Sequence, residues 1–239
     1  MKKYIFIILS TLLITACNTN NNRQYVIGVS QCSEDIWRDK LNNELVMSTY
    51  QHDNATLKFA SANDNDKLQT EQINQFIKEG VDLLIVSPNQ IHTISSVIDK
   101  AYDKGIPVIL FDRKTDSKKY TAFIGADNYE VGHEMGHFIA QQLKGEGRIA
   151  EISGLKGSSP AIERNRGFMD AFPGIKVVSR RYADWLKQKG EDEMDSIITR
   201  DMPISYVFAQ NDRMAIGALQ ATEKHKIKGI KIVGIDALP

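Results

Sequence analysis

Residues 208–218 have the sequence Phe-Ala-Gln-Asn-Asp-Arg-Met-Ala-Ile-Gly-Ala, which predicts a β-strand that runs directly into an α-helix. The apolar run Tyr206–Ala209 is the strand, and Asn211 or Asp212 can cap the helix that follows. Ligands of open α/β sheets bind just beyond the carboxyl ends of the strands. The amide of Asn211, which offers a donor and an acceptor, is therefore a candidate ligand contact, although helix capping alone would also explain an Asn here.

Similar strand and helix patterns fill the chain on both sides of this segment. Further strands are predicted at residues 25–30, 56–60, 81–86, 107–111, 120–125, 148–153, 175–182 and 230–235. Helices are predicted at residues 36–50, between a cap at 63–66 and Gly80, and at 91–104, 128–143, 161–171 and 187–200. Strands that alternate with helices form parallel sheets from right-handed βαβ units.

The order of these elements predicts an α/β protein with two doubly wound parallel-sheet lobes. We expect the first lobe to span residues 24–125 and the second to span residues 126–236. No linker rich in Pro, Gly or Ser separates the two blocks, so short hinge crossings are expected to join them. A ligand would be held in the cleft between the lobes.

The N-terminus has the pattern of a targeting segment. Lys2 and Lys3 precede an apolar run at residues 5–14, which is shorter than the ~20 residues that a membrane-spanning helix needs. The sequence Ile-Thr-Ala-Cys that ends at Cys17 resembles a bacterial lipoprotein signal, in which Cys17 would carry the lipid. An ordinary secretory peptide or an uncleaved anchor is the alternative for residues 1–17. Residues 18–23 form a polar tether, and we expect a membrane-anchored protein in the periplasm.

Two kinds of side chain are suited to binding a sugar. Asp112 and Arg113 follow a predicted strand, and together a carboxylate and a guanidinium can hold vicinal hydroxyls. A surface salt bridge is the alternative for this pair. Trp37 and Trp185, the two tryptophans, could pack against the C–H face of a sugar or could belong to the core.

Two motifs resemble those of periplasmic ribose-type sugar-binding proteins, whose fold also forms the effector-binding core of LacI-type repressors. One is the segment at residues 208–218, and the other is Phe-Asp-Arg at residues 111–113 after Ile-Pro-Val-Ile-Leu. The resemblance covers residues 24–236 and implies a type I periplasmic-binding-protein fold, with Asn211, Asp112 and Arg113 as ligand residues. Relatives continue for several dozen residues, so residues 237–239 are expected to begin a crossing back to the first lobe in a C-terminally incomplete sequence.

The same resemblance implies further ligand residues at three other places. Trp37 and Trp185 match aromatic residues that sandwich the sugar in the family. Asp236 follows the strand that ends at residue 235 and matches a ligand Asp, although a turn residue is the alternative.

Two positions depart from the family pattern. Relatives have a ligand Arg where this chain has Ile162, so Arg164, two positions later, is the candidate. Glu34 and Ile36 stand where relatives often have an amide and an aromatic ring. Glu34 is therefore expected to contact a sugar that is not simply ribose.

The resemblance implies a binding module rather than an enzyme, with no cofactor and a small monosaccharide as ligand. We expect a pentose or a ketohexose, such as ribose or fructose, with lobe closure as the signal. Residues 27–38 resemble the start of sensor domains in Bacteroidetes hybrid two-component histidine kinases, which implies a kinase region in a longer chain. The alternative is a solute-binding lipoprotein that delivers sugar to the permease of an ABC importer.

Nucleic acid is not expected as a partner. The 30 basic and 30 acidic residues cancel, so charge gives no argument for binding it. An export signal also stands where a LacI-type repressor would have its DNA-binding helices.

One motif belongs to a different class of function. The stretch His133-Glu134-Met135-Gly136-His137 fits H-E-x-x-H, in which zinc proteases bind metal with both His residues and use the Glu as general base. Gly136 is a poor helix former, and a third ligand of gluzincin type would have to be Glu151 or Glu163. We therefore keep a zinc metalloprotease as the alternative and expect no metal.

Overall fold

The computed structural model describes residues 23–144, 147–171, 174, 176–200 and 202–237. Residues 1–22, including the expected lipidation site Cys17, lie outside the described residues, as do residues 238 and 239. In the described part of the chain, nine strands form two sheets in which all neighbouring strands are parallel.

The first sheet has the strand order β2-β1-β3-β4-β5. Its strands are β1 (Tyr25–Gln31), β2 (Ala55–Ser61), β3 (Leu83–Val86), β4 (Val108–Phe111) and β5 (Ala122–Ile124). The helices of this half are α1 (Ile36–Thr49), α2 (Asp66–Glu79) and α3 (Ser95–Asp103). Because crossovers between parallel strands are right-handed, α1 lies on one face of the sheet and α2 and α3 lie on the other.

The second sheet has the strand order β7-β6-β8-β9. Its strands are β6 (Arg148–Ser153), β7 (Lys176–Tyr182), β8 (Tyr206–Ala209) and β9 (Lys231–Val233). The helices of this half are α4 (Asn128–Leu143), α5 (Ser159–Ala171), α6 (Lys187–Thr199) and α7 (Asp212–Lys224). The order reverses direction in both sheets, so the prediction of two doubly wound parallel-sheet lobes is confirmed.

The hydrophobic cores lie where the helices pack on the two sheets. In the first lobe, Ile73 and Ile98 from α2 and α3 pack on Leu84 and Leu110 of the sheet, and all four are fully buried. The second lobe has a core on each face of its sheet. One contains Met194, Met214 and Val207, and the other contains Ile139, Phe168 and Phe208.

Helices α4 and α5 touch backbone to backbone. A Cβ atom at Gly132 would overlap the carbonyl of Arg164, and one at Gly167 would overlap the carbonyl of Tyr129. A Cβ atom at Gly136 would lie 2.5 Å from the Cβ of Ala171. Gly136, which the sequence marks as a poor helix former, is therefore accommodated because it lets α5 approach.

Several predicted boundaries differ from the structure by one to four residues, and a hydrogen bond accounts for two of these differences. The helix predicted at residues 91–104 begins at Ser95, because Ile91 sits in a turn and its N–H donates to the carbonyl of Gly157 in the other lobe at 2.9 Å. The strand predicted at residues 230–235 is Lys231–Val233, because the carbonyl of Ile235 accepts from Asp212 N at 2.8 Å. Among the described residues, no helix has the length and apolar character needed to cross a membrane.

Candidate ligand-binding site

The first lobe presents a carboxylate at the end of β4. Asp112 has a φ of 63°, in the left-handed region, and its Oδ2 accepts a hydrogen bond from Nη2 of Arg38 at 2.7 Å. Nε of Arg113 lies 3.9 Å from the same oxygen. Burial raises the pKa of Asp112, but the guanidinium groups of Arg38 and Arg113 outweigh it and hold the pKa below its ordinary value. The Asp112 side chain is 39% exposed, so it is the accessible end of a buried ionic group.

Arg38 is a residue that the sequence did not nominate. Among the described residues of α1 it alone is buried, and its Nη2 also lies 3.3 Å from Sγ of Cys32. Its Nε is buried without a hydrogen-bond partner in the described part of the chain. A helix that follows a strand begins at the carboxyl edge of the sheet, where ligands bind. The position of Arg38 beside Trp37, at the start of such a helix, was therefore the sequence signal that could have identified it.

Arg113 is buried and points toward the second lobe. Its Nη1 donates to the carbonyl of Asn89 at 3.2 Å, and its guanidinium carbon lies 5.9 Å from the ring centroid of Trp185. Asn89 is itself held by Asp66, which accepts from its side-chain amide at 2.7 Å. Arg113 is therefore fixed within the first lobe while its planar group faces a ring of the second.

The second lobe presents another Asp–Arg pair. Nη2 of Arg164 lies 3.9 Å from Oδ1 of Asp236, and its Nε donates to Oδ1 of Asn128 at 2.9 Å. A second guanidinium nitrogen donates to the carbonyl of Gln210. Burial raises the pKa of Asp236 to about 6, which Arg164 only partly opposes, and burial lowers the pKa of Arg164.

Trp185 lies between the arginines of the two lobes. The guanidinium carbon of Arg164 is 5.7 Å from its ring centroid, which is similar to the distance on the Arg113 side. Gly154 leaves room for the ring, since a Cβ atom there would overlap the indole. The indole Nε1 is buried and has no hydrogen-bond partner in the described part of the chain. It is a donor that a bound molecule could satisfy.

Asn211 caps α7, which is one of the two caps predicted for this helix. Its Oδ1 accepts from the N–H of Met214 at 2.9 Å, and its Nδ2 donates to the carbonyl of Trp185 at 3.3 Å. The capping interpretation of this residue is therefore confirmed. A ligand contact through the remaining amide proton stays a prediction.

The structure brings six of the eight predicted ligand residues together, with Arg38 added. We call these seven residues the cleft cluster: Arg38, Asp112, Arg113, Arg164, Trp185, Asn211 and Asp236. Glu34 and Trp37 do not join it. Both are exposed near the start of α1, Trp37 by 53%, and neither side chain forms a hydrogen bond or ion pair with other described residues.

A set of direct contacts, which we call the clasp, joins the rims of the two lobes. The N–H of Lys114 donates to Oγ of Ser159 at 2.8 Å, and its Nζ lies 3.0 Å from Oε1 of Glu163. The hydrogen bond from Ile91 to the carbonyl of Gly157 belongs to the same rim. The lobes are therefore in contact beside the cleft cluster.

The H-E-x-x-H stretch lies on α4, and the other carboxylates that a protease site would need are engaged elsewhere. Glu151 is fully buried and accepts from Arg180 at 2.6 Å and from Gln210 at 2.8 Å. Glu163 belongs to the clasp. Neither is part of the group of metal-ligating side chains around His133.

The sequence matches known proteins over almost its whole length. A sequence model described as the periplasmic binding protein domain matches residues 27–239. The chain is 30% identical to the ribose import binding protein of Bacillus subtilis, over 99% of this chain and 82% of that protein. It is 32% identical to the galactofuranose-binding protein of Escherichia coli, over 89% of this chain and 71% of that protein.

Solved structures also superpose on most of the chain. The fructose-binding periplasmic domain of a hybrid two-component system superposes with a TM-score of 0.87 and 47% sequence identity, over 90% of this chain and 73% of that one. A galactofuranose-binding protein superposes with a TM-score of 0.83 and 31% identity, over 90% of this chain and 77% of that one.

Proposed function

The chain belongs to the family of periplasmic binding protein domains, and we propose that it binds a small monosaccharide between its lobes. The observation that carries this proposal is the cleft cluster, in which each lobe contributes an Asp–Arg pair and a tryptophan lies between two arginines. Monosaccharides present several hydroxyls around an apolar C–H face. Carboxylates that accept, guanidinium groups that donate and an indole ring match these features.

Each cluster residue has a proposed role. Asp112 accepts from two adjacent hydroxyls, while Arg38 holds its carboxylate in place. Arg113 and Arg164 donate to hydroxyl or ring oxygens. Trp185 packs against the C–H face and donates through its unpartnered Nε1.

The remaining predicted residues complete the proposed site. Asp236 contacts a hydroxyl from the second lobe, and the free amide proton of Asn211 donates to another. Glu34 and Trp37 close over the exposed side of the sugar from the start of α1, where both have space to move. This assignment makes α1 the element that adapts most to the ligand.

Binding would stabilise contact between the lobes. A sugar that touches residues of both lobes binds the closed form better than an open one, and that difference in affinity drives closure. The chain passes between the sheets at residues 125–127, between β5 and α4, which is the proposed hinge. We take residues 24–125 and 126–236 as the two moving bodies.

We further propose that closure reports the sugar to a histidine kinase region of a hybrid two-component system. The support is the 47% identity, over 90% of this chain, to a fructose-binding domain of such a system. Fructose is accordingly the first ligand to test. Delivery to an importer is the second candidate, and the 30% identity to a ribose import binding protein over 99% of this chain favours it. A lipid on Cys17 would suit that role.

A thermal-shift screen of the full chain tests the binding proposal. Fructose, ribose, arabinose and galactose are added singly, and a ligand at a hundred times its Kd stabilises the folded state by about 2.7 kcal/mol. We expect a rise in Tm with one pentose or ketohexose, its loss in Asp112→Ala, and its retention in Asp53→Ala, an exposed carboxylate outside the cluster. The absence of a shift with every sugar, in a chain with a cooperative melt, would contradict the proposal.

A further inference from the structure

Several side chains that can bind a metal lie together on one face of α4, outside the cleft cluster. Glu130, His133 and Glu134 each offer one ligand atom, and these atoms all lie within 4.8 Å of one another. Residues three and four apart share one face of a helix, so the grouping follows from their spacing. His137 lies one turn further along the same face, and its ring centroid is 4.5 Å from that of His133.

The distances suit a single small cation. Zinc binds nitrogen and oxygen ligands at about 2.1 Å in tetrahedral geometry, so two ligand atoms of one ion are about 3.4 Å apart. The side chains of Glu130, Glu134 and His137 are exposed, so they can turn toward a shared ion beside His133. Imidazole nitrogens combined with carboxylate oxygens favour zinc, copper or nickel over magnesium or calcium.

Two features of His133 suit metal binding. Its Nδ1 is buried and has no hydrogen-bond partner among the described residues, so metal binding need not break a hydrogen bond at this nitrogen. The ring of Tyr129 stacks on it at 5.9 Å with an interplanar angle of 20°, which restricts its rotation. Tyr129 is in turn held by Arg166, whose guanidinium carbon lies 4.8 Å from its ring centroid.

We infer that α4 carries a surface site for one divalent transition-metal ion, with Glu130, His133, Glu134 and His137 as its ligands. The site differs from a zinc protease, because all four ligands lie on one helix and Glu134 binds the metal. Its residues are separate from the cleft cluster. The inference therefore stands apart from the proposed sugar site.

Zinc titration of the full chain, followed by calorimetry, tests the site. We expect one zinc ion per chain, with affinity reduced at least about tenfold in His133→Ala and in Glu130→Gln. His225→Ala is the matched control, because His225 also faces a carboxylate, with Nε2 3.0 Å from Asp195, but lies on the end of α7. Zinc binding of the control should equal that of the unmodified chain.

Cobalt provides a second readout that a merely structural role of His133 would not produce. Cobalt held by four nitrogen and oxygen ligands has much stronger visible absorption bands than the six-coordinate cobalt ion in water. His137→Ala, an exposed substitution that leaves the Tyr129 stack in place, should weaken these bands without changing the melting temperature of the metal-free chain. The site is refuted by the absence of stoichiometric zinc binding, or by binding that His133→Ala and His137→Ala leave unchanged.

Discussion

The two halves of the cleft use the same residue types but shift the pKa of their carboxylates in opposite directions. In the first lobe, Asp112 touches Arg38 at 2.7 Å and stays open to the cleft. In the second lobe, Asp236 lies 3.9 Å from Arg164 and is more buried. The pKa of Asp112 is held below its ordinary value, whereas burial raises the pKa of Asp236 to about 6. Burial raises both pKa values, so the number and distance of the guanidinium groups that face each carboxylate set the difference between them.

The halves also differ in how each arginine is supported. Arg38 projects inward from α1, a helix that otherwise exposes residues such as Ile36 and Met47. Arg164 lies on α5, where the glycine contacts with α4, the side chain of Asn128 and the carbonyl of Gln210 all hold it. The first half is thus a strong ion pair on a lightly packed helix, and the second is a weak ion pair on a tightly packed one.

Gly167→Ala should break the packing of the second half and has the largest expected effect. The added Cβ would overlap the carbonyl of Tyr129, and overpacking of this kind costs about 3 kcal/mol of unfolding free energy. Urea unfolding measures the loss. Gly80→Ala in the first lobe is the control, because its Cβ meets no atom within 4 Å and only its φ of 70° is unfavourable, at about 1–2 kcal/mol. Equal losses of unfolding free energy in the two variants would contradict the proposed packing difference between the lobes.

Matched Asp→Asn substitutions compare the two ion pairs directly. Asp112→Asn leaves Arg38 buried without an anion, and we expect the Kd for the sugar to rise at least about a hundredfold, or about 2.8 kcal/mol. Asp236→Asn should raise it less than about tenfold, because Arg164 keeps its contacts with Asn128 and Gln210. Isothermal titration calorimetry provides both values. A larger loss of sugar affinity in Asp236→Asn would contradict the expectation that Asp112 contributes more to binding.

Asp236 of the second half should contribute to the pH dependence of folding. Because the pKa of Asp236 is raised to about 6, the folded state binds this proton more tightly than the unfolded chain, in which the pKa is about 3.9. The contribution of Asp236 to the unfolding free energy should therefore fall, by on the order of 2 kcal/mol, as pH rises from about 4 to about 6. Asp236→Asn should abolish that part of the fall. Asp112, with its lowered pKa, contributes stability that is lost only at lower pH, as pH falls through that pKa.

Chemical denaturation at several pH values checks this prediction. The slopes for Asp236→Asn and the unmodified chain should differ between pH 4 and pH 6 and agree above pH 7. Identical slopes throughout would show that Asp236 is not the titrating group.

Glu163→Gln has the smallest expected effect and tests whether the clasp matters to closure. The Lys114–Glu163 pair is partly exposed, and such pairs contribute about 0.2–1 kcal/mol. We expect a slightly larger radius of gyration without sugar, measured by small-angle X-ray scattering, and a Kd changed less than about fivefold. Asp103→Asn is the matched control, because it removes an ion pair with Lys119 of similar length, at 2.8 Å, within the first lobe. An equal change of the radius of gyration in the control would show that the effect of Glu163→Gln is not specific to the contact between the lobes.

The alternation of elements was predictable because it depends on local patterns. Apolar runs, caps such as Asn211 and stop signals such as Gly80 placed the strands and helices in two doubly wound sheets. The placement of Asp112 and Asn211 after strand ends was predictable too, since the topology of parallel sheets brings those ends together. The resemblance supplied Asp236 and Trp185, which no local pattern marks.

What could not be predicted depends on contacts between distant residues. Arg38 and Asp112 are 74 positions apart, and an Arg in an exposed helix has no local sign of burial. The turn at Ile91 depends on Gly157 in the other lobe, so the helix that the local pattern starts at residue 91 starts four residues later. The raised pKa of Asp236 likewise depends on burial that only the folded chain creates.

The position of Trp185 gives the protein an optical property. Indole emission depends on nearby charge and solvent, and this ring lies within 6 Å of one guanidinium from each lobe. Separation of the lobes would withdraw Arg113 and leave Arg164 in place, so the local field at the ring changes with the angle between the lobes. Trp37, the other tryptophan, is exposed and emits from a solvated environment. The fluorescence of Trp185 should therefore report the proposed closure without an attached dye.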